Sequence, residues 1–289
     1  MLSALQSLIE EINQDRSLDE PDQLRQRSEA LDRLDAYLLH GQVPEFDSSF
    51  TDVELYQQAS ALYARLEAIN SELYQAIRRD IRQETGPDCL RQWAEKSSKD
   101  EYAVHGEGYD YLDELISGIL QFQEPDDEVE VAAEMVFYQP TPARHIFDLI
   151  ARTALTEQDV LIDLGSGLGH VPLLVSICSR ARCVGIELEA TYVDCARQSA
   201  QALNLSNVTF LQQDARVADL SDGTVFYLYT PFTGTILRSV LDALRQEAAN
   251  REILVCTFGP CTPIVAKEPW LAAVDPIEVN RIAIFRSRG

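Results

Sequence analysis

Val160-Leu161-Ile162-Asp163-Leu164-Gly165-Ser166-Gly167-Leu168-Gly169-His170 is the stretch that decides the fold. An apolar run ends in an acid, and three glycines follow at alternate positions. The run reads as a buried strand. The glycines permit positive φ and let a ligand approach the bare backbone. From His170 the apolar residues resume at helical spacing, and Pro172 is tolerated only in a first turn. Strand, glycine turn and helix start together make a site for a nucleotide-type cofactor.

The spacing separates this turn from the dinucleotide fingerprint G-x-G-x-x-G. The third glycine comes one residue early, and His170 fills the place where it would stand. What remains is D-x-G-x-G-x-G, which resembles the first motif of the seven-strand, class I S-adenosylmethionine (SAM) methyltransferases. The chemistry of the cofactor agrees with that resemblance. SAM has no phosphate; it carries an ammonium, a sulfonium, a carboxylate and a ribose. An acid ahead of the glycines suits the cationic amino-acid end, and bare N–H groups suit the carboxylate. Glu187 closes a second short strand, 18 residues beyond Gly169, where an acid can accept both ribose hydroxyls. Asp214 follows a third strand, and the resemblance implies that it meets the adenine amino group with nearby backbone beside the ring. The expected cofactor set is Asp163, Gly165, Ser166, Gly167, Gly169, Glu187, Leu188, Asp214 and Ala215, with Thr141 from an earlier segment.

Strands are expected at residues 160–162, 182–186, 208–211, 224–229 and 252–257, with two more at 270–274 and 280–286 and helices between. Such alternation implies an α/β fold with a doubly wound, mostly parallel, seven-stranded sheet. A final hairpin without a helix matches the reversed seventh strand of the family. The resemblance covers residues 138–289 and says little about residues 1–120. These read as all-helical, with segments at 2–12 and 24–39 and a long stripe from Leu55 to Ile77. Asp52 is placed to cap that stripe, and Gly86-Pro87 stops it. The stripe fits a bundle packed on itself or on the catalytic domain, or else the seam of a homodimer. Residues 108–120 read as a short amphipathic helix and residues 124–130 as a solvated acidic linker. The expected domains are 1–130, helical, and 131–289, cofactor-binding. Ahead of the first strand, Tyr138-Gln139-Pro140-Thr141-Pro142 is held extended by its prolines. Thr141 either caps a helix over 142–154 or belongs to a turn that covers the methionine end of SAM.

Charge bears on the acceptor. The net charge is −23, and it is uneven: residues 1–130 hold 30 acids against 11 Lys and Arg, residues 131–289 hold 17 against 13. Such a surface repels phosphate backbones and anionic lipid, so neither a nucleic acid nor a membrane is an expected partner. Six cysteines without a C-x-x-C pair read as small buried hydrophobes, and four scattered histidines show no metal cluster. The absence of a basic leader or a long apolar run makes a cytoplasmic location the expectation.

Methyl transfer is a one-step displacement that needs alignment more than a nucleophile, so no catalytic residue is singled out. The substrate side is expected at Tyr138 and at Tyr229-Thr230, the end of the fourth strand. Enzymes that methylate amides and exocyclic amines carry N-P-P-Y or D-P-P-Y there. This chain has Tyr229 in place of the Asn or Asp, leaving Tyr229 and Thr230 either as hydroxyls facing the methyl or as a pair that packs. Residues 163–177 also resemble the seven-strand histone-lysine methyltransferases, which share D-L-G-S-G. The sequence favours a small-molecule acceptor enclosed by a helical lid, with a basic protein tail, or a non-catalytic SAM-binding scaffold, as the alternatives.

Overall fold

The computed structural model describes residues 2–40, 50–83, 86–98, 108–122 and 138–288. The contacts divide into two compact units, Met1–Arg78 and Arg79–Gly289.

The first unit holds α1 (Leu2–Gln14), α2 (Leu24–His40) and most of α3 (Phe50–Arg82). Leu5, Leu8, Ile9 and Ile12 of α1 recur at helical steps and pack with Leu31, Leu34, Leu62 and Leu66. Burying this stripe, at roughly 1.5–3 kcal/mol per side chain, is what holds the three helices together. Arg27 is fully buried inside it. Its guanidinium donates to Asn70 Oδ1 and to the carbonyls of Leu18, Glu20 and Pro21, so four neutral oxygens help to meet the buried charge. Asp52 was expected to cap α3, but the helix already begins at Phe50, which puts Asp52 within its first turn.

The second unit contains α4 (Gly86–Ser98), α5 (Tyr111–Leu120) and α6 (Ala143–Thr153), then β1 (Val160–Leu164), α7 (His170–Cys178), β2 (Arg182–Glu187), α8 (Ala190–Ala202), β3 (Val208–Gln212), β4 (Val225–Tyr229), α9 (Gly234–Ala248), β5 (Leu254–Phe258), β6 (Leu271–Ala273) and β7 (Ala283–Ser287). Gly86-Pro87 does more than stop α3: it opens α4, with proline where a missing N–H costs nothing. α4 and α5 pack against α6, so these helices, grouped by sequence with the N-terminal region, lie in the same unit as the sheet. Residues 124–130, read as a linker, fall outside the described residues.

The sheet order is β3-β2-β1-β4-β5-β7-β6. β1 to β5 run parallel, and β7 is antiparallel to both β5 and β6. All five residues of β1 are buried, as a central parallel strand covered on both faces requires. The carboxyl ends of β1, β2 and β4 meet at the point where the chain order reverses, the place where ligands bind in such sheets.

The helix leading into β1 is capped differently from the expectation. Thr141 makes no capping bond; its hydroxyl pairs with Tyr227 of β4 at 2.8 Å. The cap comes from α5, where Asp113 Oδ1 accepts the Ala143 N–H at 2.6 Å and Oδ2 accepts the Asp110 N–H at 2.8 Å. Burial pushes the Asp113 carboxyl up to about 6, against the pull of those two N–H groups. A carboxyl raised in the fold contributes stability that is complete below its unfolded value near 4 and lost as pH rises through about 6. Asp113→Ala is expected to cost about 1–2 kcal/mol, the usual value of a lost cap, with the larger loss at pH 5 than at pH 8 in thermal melts.

Candidate functional site

Register sets the site. Asp163 of β1 lies between Gly185 of β2 and Tyr227 of β4. The chain then turns through Gly165 (φ +83°), Gly167 (φ +52°) and Gly169 (φ +86°), all in the left-handed region. The first two are also places of close approach. A Cβ on Gly165 would lie 2.1 Å from Pro231 Cβ, and one on Gly167 would lie 2.0 Å from Tyr138 Cε2. The loop is thus pressed between the end of β4 and the Tyr138 ring.

Its N–H groups are less bare than expected. Gly165 and Ser166 both donate to Ile186 O, Gly169 donates to Ser166 O, and Gly167 donates to Glu187 Oε2 at 2.8 Å. Glu187 Oε1 also accepts from Leu188 and Glu189. One carboxylate at the end of β2 therefore holds both the glycine loop and the start of α8. Ser166 Oγ is buried with no partner.

Asp163 is 3% exposed, and no donor reaches its carboxyl among the described residues. Burial raises it well above the usual carboxylate range, and the nearby Glu187 charge adds to the effect. Two buried acids without a cation between them form a place for a cationic ligand.

Tyr138, expected on the substrate side, stands over the glycine loop. Its hydroxyl meets His170 Nδ1 at 2.8 Å, and its ring lies 5.2 Å from that of Tyr192. Burial lowers His170 to about 4, so the imidazole is neutral near pH 7. His170 also packs on Phe122 at 4.7 Å. The sequence marked His170 only as the residue in a glycine's place; its pairing with Tyr138 carries no local signal.

Asp214, at the end of β3, is engaged by its neighbour. Its two oxygens accept the Arg216 N–H and the Arg216 guanidinium, at 2.5 to 3.0 Å. A carboxylate has about four acceptor sites, so an adenine amino group would have to share with Arg216 or displace it. Ala215 beside it is buried, while Leu188 is exposed at the mouth. On the other flank Tyr229 is half-buried, 5.0 Å from Phe258, which stacks in turn on His145 at 4.5 Å. Thr230 (φ +38°) turns its hydroxyl inward, donating to Phe258 O and accepting the Cys261 N–H. The Tyr229 hydroxyl is itself buried, so neither hydroxyl of the pair faces open space.

A separate cavity of about 980 Å³ opens at the amino ends of the strands, lined in part by Arg82, Arg91 and Asn207. Arg82 and Arg91 there donate to carbonyls at the ends of α8 and α7, and the cavity holds none of the residues named above. Among the described residues no group of three or more His, Cys, Asp or Glu is placed to hold a metal ion, and no helix is long and apolar enough to cross a membrane.

Strand order, the reversed β7 and the glycine loop with acids at the ends of β1, β2 and β3 now stand together. The chain has the class I SAM-dependent methyltransferase fold. The family model described as "Histone methylation protein DOT1" matches residues 132–217 of the chain, from ahead of Tyr138 to just past Asp214. Among solved structures it is similar to an RNA methyltransferase from Salinibacter ruber in complex with S-adenosyl-L-homocysteine, at 25% identity over 52% of this chain and 92% of that one, with a TM-score of 0.41. It is also similar to a precorrin-6y C5,15-methyltransferase from Geobacter metallireducens, at 19% identity over 56% and 95%, with a TM-score of 0.40. At these scores the acceptors of those proteins say nothing of the acceptor here. No curated protein sequence matches the chain. The site fits SAM as its cofactor, since at the end of β1, next to the glycine loop, stands a buried acid that no donor reaches among the described residues.

Proposed function

We propose that this methyltransferase moves the methyl group of SAM to an amine on a protein side chain, a lysine within a basic segment. The family match over residues 132–217 carries this reading. It is supported by the net charge of −23, which steers a Lys- or Arg-rich chain toward the protein. It is also supported by the end of β4, where Tyr229 stands in place of the side-chain amide or acid that would hold an exocyclic amine. The cofactor, when bound, supplies a methyl on a cationic sulfur. The chain's own part is to hold and exclude. Asp163 and Glu187 hold the cationic and ribose parts, Tyr138 covers the loop, and the half-buried Tyr229 ring offers an apolar wall for an alkyl chain. Orientation of this kind is worth several kcal/mol of the barrier.

The test is incubation with methyl-labelled SAM and, separately, total cell protein, total RNA and a metabolite extract. Label in protein, recovered after hydrolysis as methyllysine, is expected. Label confined to the metabolites supports the small-molecule reading instead, and label confined to RNA overturns both.

A further inference from the structure

The connection between β6 and β7, residues 274–282, is the least explained surface of the second unit. β6 runs parallel to β5, because both are antiparallel to β7. The connection therefore lies at the carboxyl ends of the strands, on the Tyr229 side of the site. Val274 and Ile277 are each 47% exposed and Val279 is 92% exposed. The segment is nonetheless firmly held. Arg152 of α6 bonds Asp275 at 2.9 Å and the Ile282 carbonyl at 2.6 Å. Asp148, one turn earlier, takes a two-pronged bond from Arg281 at 2.5 and 2.8 Å. Both ends are thus clamped to α6, and Ile277 and Val279 stand in solvent between the clamps. An apolar patch rimmed by charge and presented rigidly is the usual mark of a docking surface.

We infer that the β6–β7 connection is where the acceptor protein docks, through a basic, partly apolar segment, an inference that rests on the protein-acceptor reading above. Glu278 lies between Ile277 and Val279, and the connection carries Asp275 and Glu278 against Arg281, so the charge complement is Lys or Arg. Its distance from the chemistry follows from the strand order. β7 and β6 lie two and three strands from β4, roughly 10–15 Å at the spacing of a sheet. An extended chain covers that in about three to five residues. The docked side chains therefore lie about that far along the sequence from the methylated lysine.

The experiment compares the parent with Ile277→Ser/Val279→Ser, using methyl-labelled SAM and total cell protein at rising concentration. The side chains are exposed, so the fold is expected to hold, and SAM affinity measured by calorimetry checks this. The expected result is a half-saturating protein concentration at least tenfold higher, with the plateau rate and SAM affinity within twofold of the parent. Ile277→Leu/Val279→Ile should restore the parent's behaviour. An unchanged half-saturation overturns the inference while leaving the protein-acceptor reading in place. A parent that labels no protein overturns both. Sedimentation that shows a dimer for the parent and a monomer for the serine variant would make this surface a self-contact and overturn the inference as well.

Discussion

Gly167→Ala is expected to weaken SAM binding by roughly a hundredfold, about 2.7 kcal/mol, and to lower the melting temperature by several degrees. Two effects combine. At φ +52° an alanine is strained by about 1–2 kcal/mol. Its Cβ would also lie 2.0 Å from Tyr138 Cε2, and that ring has no easy retreat. Its hydroxyl is held by His170, and its other side faces Tyr192. The ring must therefore swing off the loop, and the Gly167 N–H that Glu187 accepts moves with the backbone. A double variant, Gly167→Ala/Tyr138→Ala, separates the two effects. Removing the ring relieves the collision, so part of the lost stability should return, while SAM affinity should stay low. Thermal melts and calorimetry read both quantities. An alanine variant that binds SAM as the parent does would show that this loop is not the cradle.

The sheet was legible because each strand is a short apolar run bounded by a glycine or an acid, and the parallel order follows from the helices between. Glu187 and Asp163 were picked out because each is an acid closing a buried strand, and the structure gives Glu187 a structural use as well, holding the glycine loop and the start of α8. What the sequence did not show depends on partners far along the chain. Asp113 caps α6 from a helix thirty residues earlier, so the nearer Thr141 looked like the cap. Thr141 instead meets Tyr227, across 86 residues. The inward turn of Thr230 needs a positive φ that no rule assigns to threonine. Arg216 lies only two residues from Asp214, yet whether an arginine folds back onto its neighbour depends on the short helical turn between them. The spare N–H groups expected of the glycine loop are taken by Ile186 and Glu187, contacts fixed by how closely β2 follows β1.

SAM binding is expected to release a proton from Asp163, so that affinity rises with pH, by up to about tenfold per unit while the free site is protonated. The groups that face Asp163 are Glu187 and Cys183 from β2, Tyr227 from β4 and Tyr138. None is a cation. Burial and the Glu187 charge both favour the protonated carboxyl in the free protein. A bound ammonium or sulfonium reverses that preference, because an opposite charge nearby favours the ionised form. The proton leaves as the cofactor enters. Calorimetry at one pH in phosphate and in Tris should give different apparent enthalpies, since the two buffers take up the proton with different heats. S-Adenosylhomocysteine keeps the ammonium, so it should show the same linkage if the amino-acid end lies against Asp163. Asp163→Asn should abolish the buffer dependence and weaken SAM by at least tenfold, the scale of a lost charged hydrogen bond. The same change should raise the melting temperature at pH 8. A carboxyl raised in the fold subtracts stability as pH climbs through its folded value, and the amide carries no such charge. Equal enthalpies in the two buffers, with tight binding at both pH 6 and pH 8, would mean that Asp163 is already ionised in the free protein and that some other group compensates it.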